Sequence, residues 1–459
     1  MRVLGVNAVF HDPAAALVVD GEIVAAAEEE RFSRRKHGKD PVPFSTWELP
    51  VQSAAWCLAS AGMGPDELDA VAYSYDPSLA PPLDPDDLAA DGWEGLRTLY
   101  AERAPLFLRT ALPGLDPACV RFVPHHIAHA ASAHLAAPYP SSAVLVLDGR
   151  GERASHLAGR SVDGDLEVLA AQELPHSLGL LYEKVTEHLG FRRSSDEYKV
   201  MALAAYGEPT FLGELRGAVA ATGDGGFRVD PIAWGSLVKR RRTPEDWGPE
   251  HADLASSVQI RLQEVLLDLA RWLHAQTGEK TLTLAGGVAL NCVANAVVAE
   301  QGPFERLWVQ PAAGDAGTAL GAALHVAHGL GDRISPMATA ALGRGWDDRD
   351  LEAWLVEAAV PYERPPDVAE TVAAVLAANG IVAWFQGRSE YGPRALGHRS
   401  LLANPAYPDN LERLNRVKGR EEFRPVAPMV LAERASEIFS GVIPSPFMLF
   451  THRVNPQWA

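Results

Sequence analysis

Two stretches of this chain repeat one strand plan, and that repeat restricts the possible folds more than any other feature. Residues 2–31 read as a strand, a polar break and a hairpin: apolar RVLGVNAVF, then His11-Asp12-Pro13, then AAALVVDGEIVAAAEEER with Asp20-Gly21 as the turn signal. Residues 143–174 run the same way, with AVLVLDGRGE followed by RASHLAGRSVDGDLEVLAAQEL, whose turn contains Asp163-Gly164. No fixed short period accompanies the repeat, so the pattern predicts a duplicated domain core and not a solenoid. By position, His11-Asp12 in the first copy is expected to correspond to Asp148-Gly149 in the second.

Helical apolar spacing is expected over 48–62 and 126–137, whereas 73–92, rich in Pro and Asp, reads as a loop excursion. Residues 250–277 form the longest predicted helix. It leads into KTLTLAGGVALN and then RLWVQPAAGDAGTALGAALHVA, each a buried strand, a Gly-rich loop and a helix, an alternation that argues an α/β architecture. Near Gly343, Arg344, Gly345 and Trp346 the pattern restarts, with a helix around 367–379 and a strand at 381–387. A boundary near residue 350 is therefore expected, dividing the chain into 1–350 and 351–459. With 47% hydrophobic and 22% charged residues in 459, the chain should bury a full core. Its formal net charge of -18 argues against nucleic acid and anionic membranes as partners. Cys57, Cys119 and Cys292 form no CxxC pair, and no run of apolar residues is long enough to span a bilayer. A soluble protein of the reducing cytoplasm is expected.

Four histidines fall within ten residues in Pro124-His125-His126-Ile127-Ala128-His129 and His134. His125 and His129, at i and i+4, share one helix face, the spacing by which one element offers two imidazoles to a divalent metal. Alone, HxxxH more often marks packed histidines. Asp148, at the end of the strand AVLVL, and Asp315, in the loop AAGDAGTA, alter the balance, since both are expected where strands open into a cleft. Such a site suits Fe(II), Mn or Zn, and spacing does not choose among them.

Gly149, Gly151, Gly286 and Gly287 follow strands, where a bare backbone can approach a phosphate. The His11-Asp12 pair suits deprotonation of a hydroxyl, because a neighbouring carboxylate sets an imidazole's tautomer; equally, both residues suit a plain turn. Basic side chains gather in Arg388–Ser400, which contains Arg394 and Arg399, and again in Lys418–Pro425. Lys418 and Arg424 there suit phosphate or carboxylate oxygens.

Taken together, VLGVNAVFHDPAAALVVDGEIVAAAEEERFSRRKH, PHHIAHAASAH, VLDGRGE, PHSLGLLYEKVTEHLGF, EYKVMALAAYG, LAGGVALNCVAN, GDAGTALGAAL, GRSEYGPRALGHRSLLANP and LNRVKGREEFRPVAP resemble the O-carbamoyltransferases of nodulation-factor and antibiotic biosynthesis, almost end to end. The resemblance implies a duplicated actin-like (ASKHA, ribonuclease H-like) amino-terminal domain and a partial YrdC-like carboxy-terminal domain. It implies that ATP and carbamoyl phosphate give carbamoyl-adenylate, whose carbamoyl group passes to a hydroxyl of a small molecule such as a glycoside. By position, His125, His129, Asp148 and Asp315 look like Fe(II) ligands and Lys418 and Arg424 like residues of adenylate synthesis. His11 and Asp12 look like acceptor-side catalytic groups, and Gly149, Gly151, Gly286, Gly287, Asn291, Arg394 and Arg399 like nucleotide contacts. A homodimer is compatible with the resemblance. Transfer to tRNA and a non-catalytic nucleotide-binding scaffold are the rival readings. Members of the group continue beyond the SPFMLF segment with an NTSFN-type motif not found here, so an incomplete adenylate-forming site is expected; they also carry glycine where Ala202 stands, and crowding of a backbone approach is expected there. The acceptor's selectivity is expected in loops 73–115 and 208–250.

Overall fold

The computed structural model describes residues 1–38, 48–81, 88–242 and 247–458, with the side chains of 88–94 excepted. Its centre is a pair of five-stranded sheets of one topology. The first contains β1 (Arg2–Asn7), β2 (Ala14–Val19), β3 (Glu22–Glu28), β4 (Ala70–Tyr73) and β5 (Val120–Phe122), in the order β3-β2-β1-β4-β5. β1, β2 and β3 are antiparallel, while β4 and β5 run parallel to β1. β6 (Ser141–Leu147), β7 (Ala154–Val162) and β8 (Asp165–Glu173) are the corresponding antiparallel strands of the second sheet. After a small ribbon of β9 (Val219–Ala221) and β10 (Phe227–Val229), that sheet is completed by the parallel strands β11 (Thr281–Ala285) and β12 (Arg306–Val309), in the order β12-β11-β6-β7-β8. The duplication expected from the sequence is thus a pair of matching five-stranded sheets.

Both hairpin turns take the left-handed backbone that their residues suit, with φ 51° and 80° at Asp20-Gly21 and 51° and 94° at Asp163-Gly164. The match between copies differs from expectation by a few residues. Residues 8–13 join β1 to β2 and residues 148–153 join β6 to β7, so Asp148 stands opposite Ala8, and His11-Asp12 opposite Gly151-Glu152. Strand ends set this register, and they are not visible in the run of apolar residues.

The sheets are joined through two small-residue helices, His125–His134 and Ala316–Gly329. Ala128, Ala131, Ala319, Ala322 and Ala323 are fully buried at this junction. A Cβ on Gly5 of β1 would run into the carbonyl of Ala319, and one on Gly321 into that of Ala128, so only glycine admits these backbone approaches. On the other face of the first sheet lies the helix Leu88–Ala111, which buries Ala101, Ala104 and Leu108 against Leu4, Val6 and Tyr73. Much of the segment 73–115, expected as loop, is therefore helix. Its polar face and Pro105 hide the apolar spacing, and residues 82–87 lie outside the described part. The helix Pro249–Thr277 covers the second sheet and ends on Gly278 at φ 64°.

Residues beyond 380 add a ribbon of β13 (Ile381–Phe385) and β14 (Arg399–Ala403). The loop between them is anchored in the duplicated core. Tyr391 is buried with its hydroxyl donating to the carbonyl of Ala316, and the Gly392 amide donates to Glu28 Oε1 at 2.7 Å. Leu449 enters the second core, where its carbonyl accepts from Asn295 Nδ2 at 3.0 Å.

Gly321→Ala should destabilise the fold by about 1–3 kcal/mol through overpacking. Gly329→Ala, where a Cβ meets nothing within 4 Å, should be neutral or stabilising by up to about 1 kcal/mol. Urea denaturation of the two variants checks the difference.

Candidate active site and metal centre

Four buried side chains converge where the two helices and β6 meet. His125 and His129 project from one helix face, Asp148 follows β6 directly, and Asp315 immediately precedes the helix Ala316–Gly329. His125 Nε2 lies 3.5 Å from Asp148 Oδ2 and 3.7 Å from Asp315 Oδ1. His129 Nε2 lies 3.8 Å and 3.6 Å from the same two atoms. These separations are too long for good hydrogen bonds and close to the ~3.4 Å edge made by ligands about 2.1 Å from a tetrahedral ion.

The chemistry of the donors agrees. Among the described residues both Nε2 atoms are buried without a hydrogen-bond partner, an arrangement costly in itself. His125 Nδ1 donates to the carbonyl of Ser74 at 3.1 Å, which directs Nε2 at the carboxylates. Asp148 Oδ1 accepts from the Gly287 amide at 3.0 Å. Burial alone would lower His125, but Asp148 and Asp315 raise it to about 9, and Asp148 is held well below the usual carboxylate range by the facing imidazoles despite its burial. The quartet thus favours positive charge at its centre, and a divalent cation fits it.

Other residues hold this geometry in place. Asn7 at the end of β1 donates to the carbonyls of His11 and Asp12 at 2.7 and 2.9 Å, and its Oδ1 accepts from Ser74 Oγ at 3.2 Å. Thr318 donates to Ser74 Oγ at 2.8 Å, tying the second half of the chain to the first. A Cβ at Gly179 would press on Asp148 and Gly149. None of Asn7, Ser74, Thr318 or Gly179 was marked by charge, spacing or composition.

Asp148 and Asp315 open onto a cavity of about 520 Å³. His11, Asp12, Gly149, Gly287, Asn291, Arg394 and Arg424 also line it, so residues far apart in the chain share one wall. Arg31, Lys36, Arg150 and Arg193 add cations to it, in a chain whose net charge is -18. Glu28, Glu30, Glu183 and Glu197 line it as well, with Arg31 against Glu28 and Glu30 and Arg193 against Glu183, so the wall is mixed in charge, and individual guanidinium groups such as those of Arg394 and Arg424 are what suit an anionic ligand such as a phosphate.

The remaining candidates are placed differently. Gly286 and Gly151 do not line this cavity and serve packing instead. Gly286 has φ 90° and passes against Leu147, and a Cβ on Gly151 would lie 2.6 Å from His126 Nδ1. Asn291 caps the helix Cys292–Gln301 by accepting from Ala294 N at 3.0 Å. Arg399 lies over the Phe385 ring at 3.5 Å and donates to the carbonyls of Gln386, His398, Arg344 and Gly387. Lys418 follows the helix Asn410–Val417 and is not part of the cavity lining; burial and its neighbours Arg420 and Arg424 lower it.

The second constellation on the cavity wall is His11, Asp12 and His37. Asp12 bridges two imidazoles, with Oδ2 2.7 Å from His11 Nδ1 and Oδ1 2.7 Å from His37 Nδ1. Burial opposes ionisation of Asp12, yet the two rings hold it well below the usual carboxylate range. His37 was not singled out from the sequence, where it follows a basic run like any surface histidine.

The carbamoyltransferase N-terminus family matches residues 2–80 and 110–324, and the carbamoyltransferase C-terminus family matches residues 373–459. This chain belongs to the carbamoyltransferase family. The quartet and most of the cavity lie in the N-terminal match, and Arg394 and Arg424 in the C-terminal one. Among its relatives, the uncharacterised protein sll1178 of Synechocystis sp. is 37% identical over 99% of this chain and 80% of its own length. Nodulation protein NolNO of Sinorhizobium fredii is 36% identical over 94% of this chain, which spans 64% of NolNO. Nodulation protein NolO of Bradyrhizobium diazoefficiens is 38% identical over 72% of this chain and 63% of its own length. Solved structures are more distant: the HypF protein of T. kodakarensis aligns over 73% of this chain and 48% of its own, at 17% identity and a TM-score of 0.37.

Asp148→Asn, which keeps shape and removes one ligand charge, should weaken binding of Fe(II) or Zn(II) by roughly 10²-fold or more. Metal titration of the apo-protein, with elemental analysis after dialysis, checks it; equal retention by wild type and variant would remove the quartet from consideration.

Proposed function

We propose that this protein is an ATP-dependent O-carbamoyltransferase whose acceptor is a hydroxyl of a sugar or similar small metabolite. The observation that carries the reading is the single cavity shared by the two aspartates of the buried quartet, the His11–Asp12 pair and the cations Arg394 and Arg424. In this reading residues 351–459 form part of a YrdC-like unit in which ATP and carbamoyl phosphate yield carbamoyl-adenylate. Residues 1–350 then pass the carbamoyl group to the acceptor.

The chain's own groups suit these tasks. Arg424, with one face over the Tyr198 ring at 4.4 Å, offers its guanidinium to phosphate oxygens, and Arg394 stands on the same wall. Gly149 and Gly287, lacking side chains, let the backbone of two loops border the site beside Asp148. A divalent ion bound by His125, His129, Asp148 and Asp315, Fe(II) by the resemblance, would supply Lewis-acid neutralisation of the nucleotide's phosphate. The acceptor hydroxyl must lose its proton as its oxygen attacks, and the imidazoles held by Asp12 line the same cavity. A continuous cavity also supports transfer of the intermediate without release, since free carbamoyl-adenylate hydrolyses readily.

The test is mass spectrometry of candidate hydroxyl compounds incubated with the protein, ATP, carbamoyl phosphate and Fe(II). The expected product carries one carbamoyl group in place of a hydroxyl hydrogen. Arg424→Met should reduce the turnover of ATP and carbamoyl phosphate by about tenfold to a hundredfold, as expected for loss of a charge-assisted phosphate contact. No product with any acceptor, from a protein that binds nucleotide, would overturn the reading.

A further inference from the structure

The two imidazoles on Asp12 are not equivalent. His11 Nε2 faces the backbone carbonyl of Ser194, and its Nδ1 faces Asp12 Oδ2 at 2.7 Å. A carbonyl oxygen and an ionised carboxylate both only accept, so both nitrogens of His11 must donate. Such a ring is an imidazolium and has no lone pair with which to take a further proton.

His37 stands otherwise. Its Nδ1 donates to Asp12 Oδ1 at 2.7 Å, while its Nε2 is buried and has no hydrogen-bond partner among the described residues. With the first nitrogen protonated and the ring neutral, the second carries the lone pair. Burial presses His37 toward this neutral form, lowering it in spite of Asp12. The charge of the trio is then balanced by the His11 cation and the Asp12 anion. His37 lines the same cavity as Asp148 and Asp315, and its ring lies 4.4 Å from that of His11.

The backbone holds the trio at some cost. Asp12, His37 and Ser194 all have left-handed φ, at 47°, 61° and 53°. Residues with a Cβ disfavour this conformation, so surrounding contacts must maintain it. Two such contacts are visible: Asn7 donates to the carbonyls of His11 and Asp12, and Glu30 Oε2 accepts from the His37 amide at 3.0 Å.

We propose that His37, and not His11, is the general base of the transfer step, with His11 and Asp12 acting as its positioning residues. This rests on the function proposed above. The acceptor oxygen forms a bond to the carbamoyl carbon as that carbon's bond to the adenylate phosphate oxygen breaks. AMP leaves with the electron pair, and the hydroxyl proton goes to His37 Nε2, from which solvent later removes it.

His37→Gly is the informative variant, because glycine adopts the left-handed backbone freely and leaves room for added imidazole. With ATP, carbamoyl phosphate and Fe(II), and with glycerol, methyl glucoside and N-acetylglucosamine as hydroxyl probes, its transfer rate should fall by ~10²–10⁴-fold and recover in part with imidazole. A rate within about threefold of wild type, well inside that range, would overturn the assignment, and so would a folded variant that imidazole does not rescue. A wild-type protein inactive on every probe would instead count against the function itself. Where His37→Gly fails to fold, ¹⁵N NMR of histidine-labelled wild type decides. The proposal requires a neutral His37 with an unprotonated Nε2 and a doubly protonated His11, and the opposite pattern sinks it. His11→Gln and His37→Asn assign the two rings, asparagine being tolerant of left-handed φ.

Discussion

Two carboxylates and two imidazoles are buried together, and much of the architecture keeps them facing one another. Buried charge is stable only when paired or coordinated, so the elements carrying it cannot drift apart without stranding an ion in an apolar interior. The positions that hold this arrangement have no charge of their own. Gly321 lets the helix bearing Asp315 at its start lie against the helix bearing His125 and His129, and Gly5 seats the same helix on the first sheet. The alanines around them leave room for backbones, not side chains, to make the contact. The duplicated fold brings loops from both copies to this junction, and Asn7, Ser74 and Thr318 connect them by hydrogen bonds.

A second theme is the separation of local from global charge. The chain is strongly acidic, yet arginines from several distant segments meet at one cavity. A strongly acidic chain repels polyanions at long range, while single guanidinium groups on a cleft of mixed charge still meet a small phosphate at short range. The loop after β13 contributes to this by anchoring itself in the core through Tyr391 and Gly392, which places Pro393 and Arg394 on the cavity wall. The same loop spends Arg399 on backbone carbonyls, so neighbouring basic residues of one run do different work.

Much of the fold was legible in advance because it rests on local rules. Alternating apolar strands, the Asp-Gly turns and the long helical period of 250–277 each depend on residues near in sequence, and each stands where expected. The helix within 73–115 was missed because its exposed face and an internal proline blur the periodicity that burial on one side would otherwise show. The register between copies was displaced because it depends on where strands stop pairing. For the candidate site, the meeting of His125, His129, Asp148 and Asp315 was anticipated from spacing and strand ends together with the family resemblance. His37 was not, since nothing in its neighbourhood distinguishes a histidine that will meet Asp12 from one on the surface.

By itself the sequence determined the duplicated α/β core, the membership of a carbamoyl-transfer family, and the residue types available for metal and phosphate chemistry. These follow from periodicity and composition, which act over a few residues, and from ordered motifs. The tertiary structure decided which of the candidates share a space. It separated Arg394 and Arg424 from Arg399 and Lys418, and it placed a second imidazole on Asp12. It also determined which ring nitrogens have a proton acceptor beside them and which have none. Hydrogen-bond partnership is a property of position in three dimensions, and two histidines with identical chemistry acquire different protonation only when their surroundings differ.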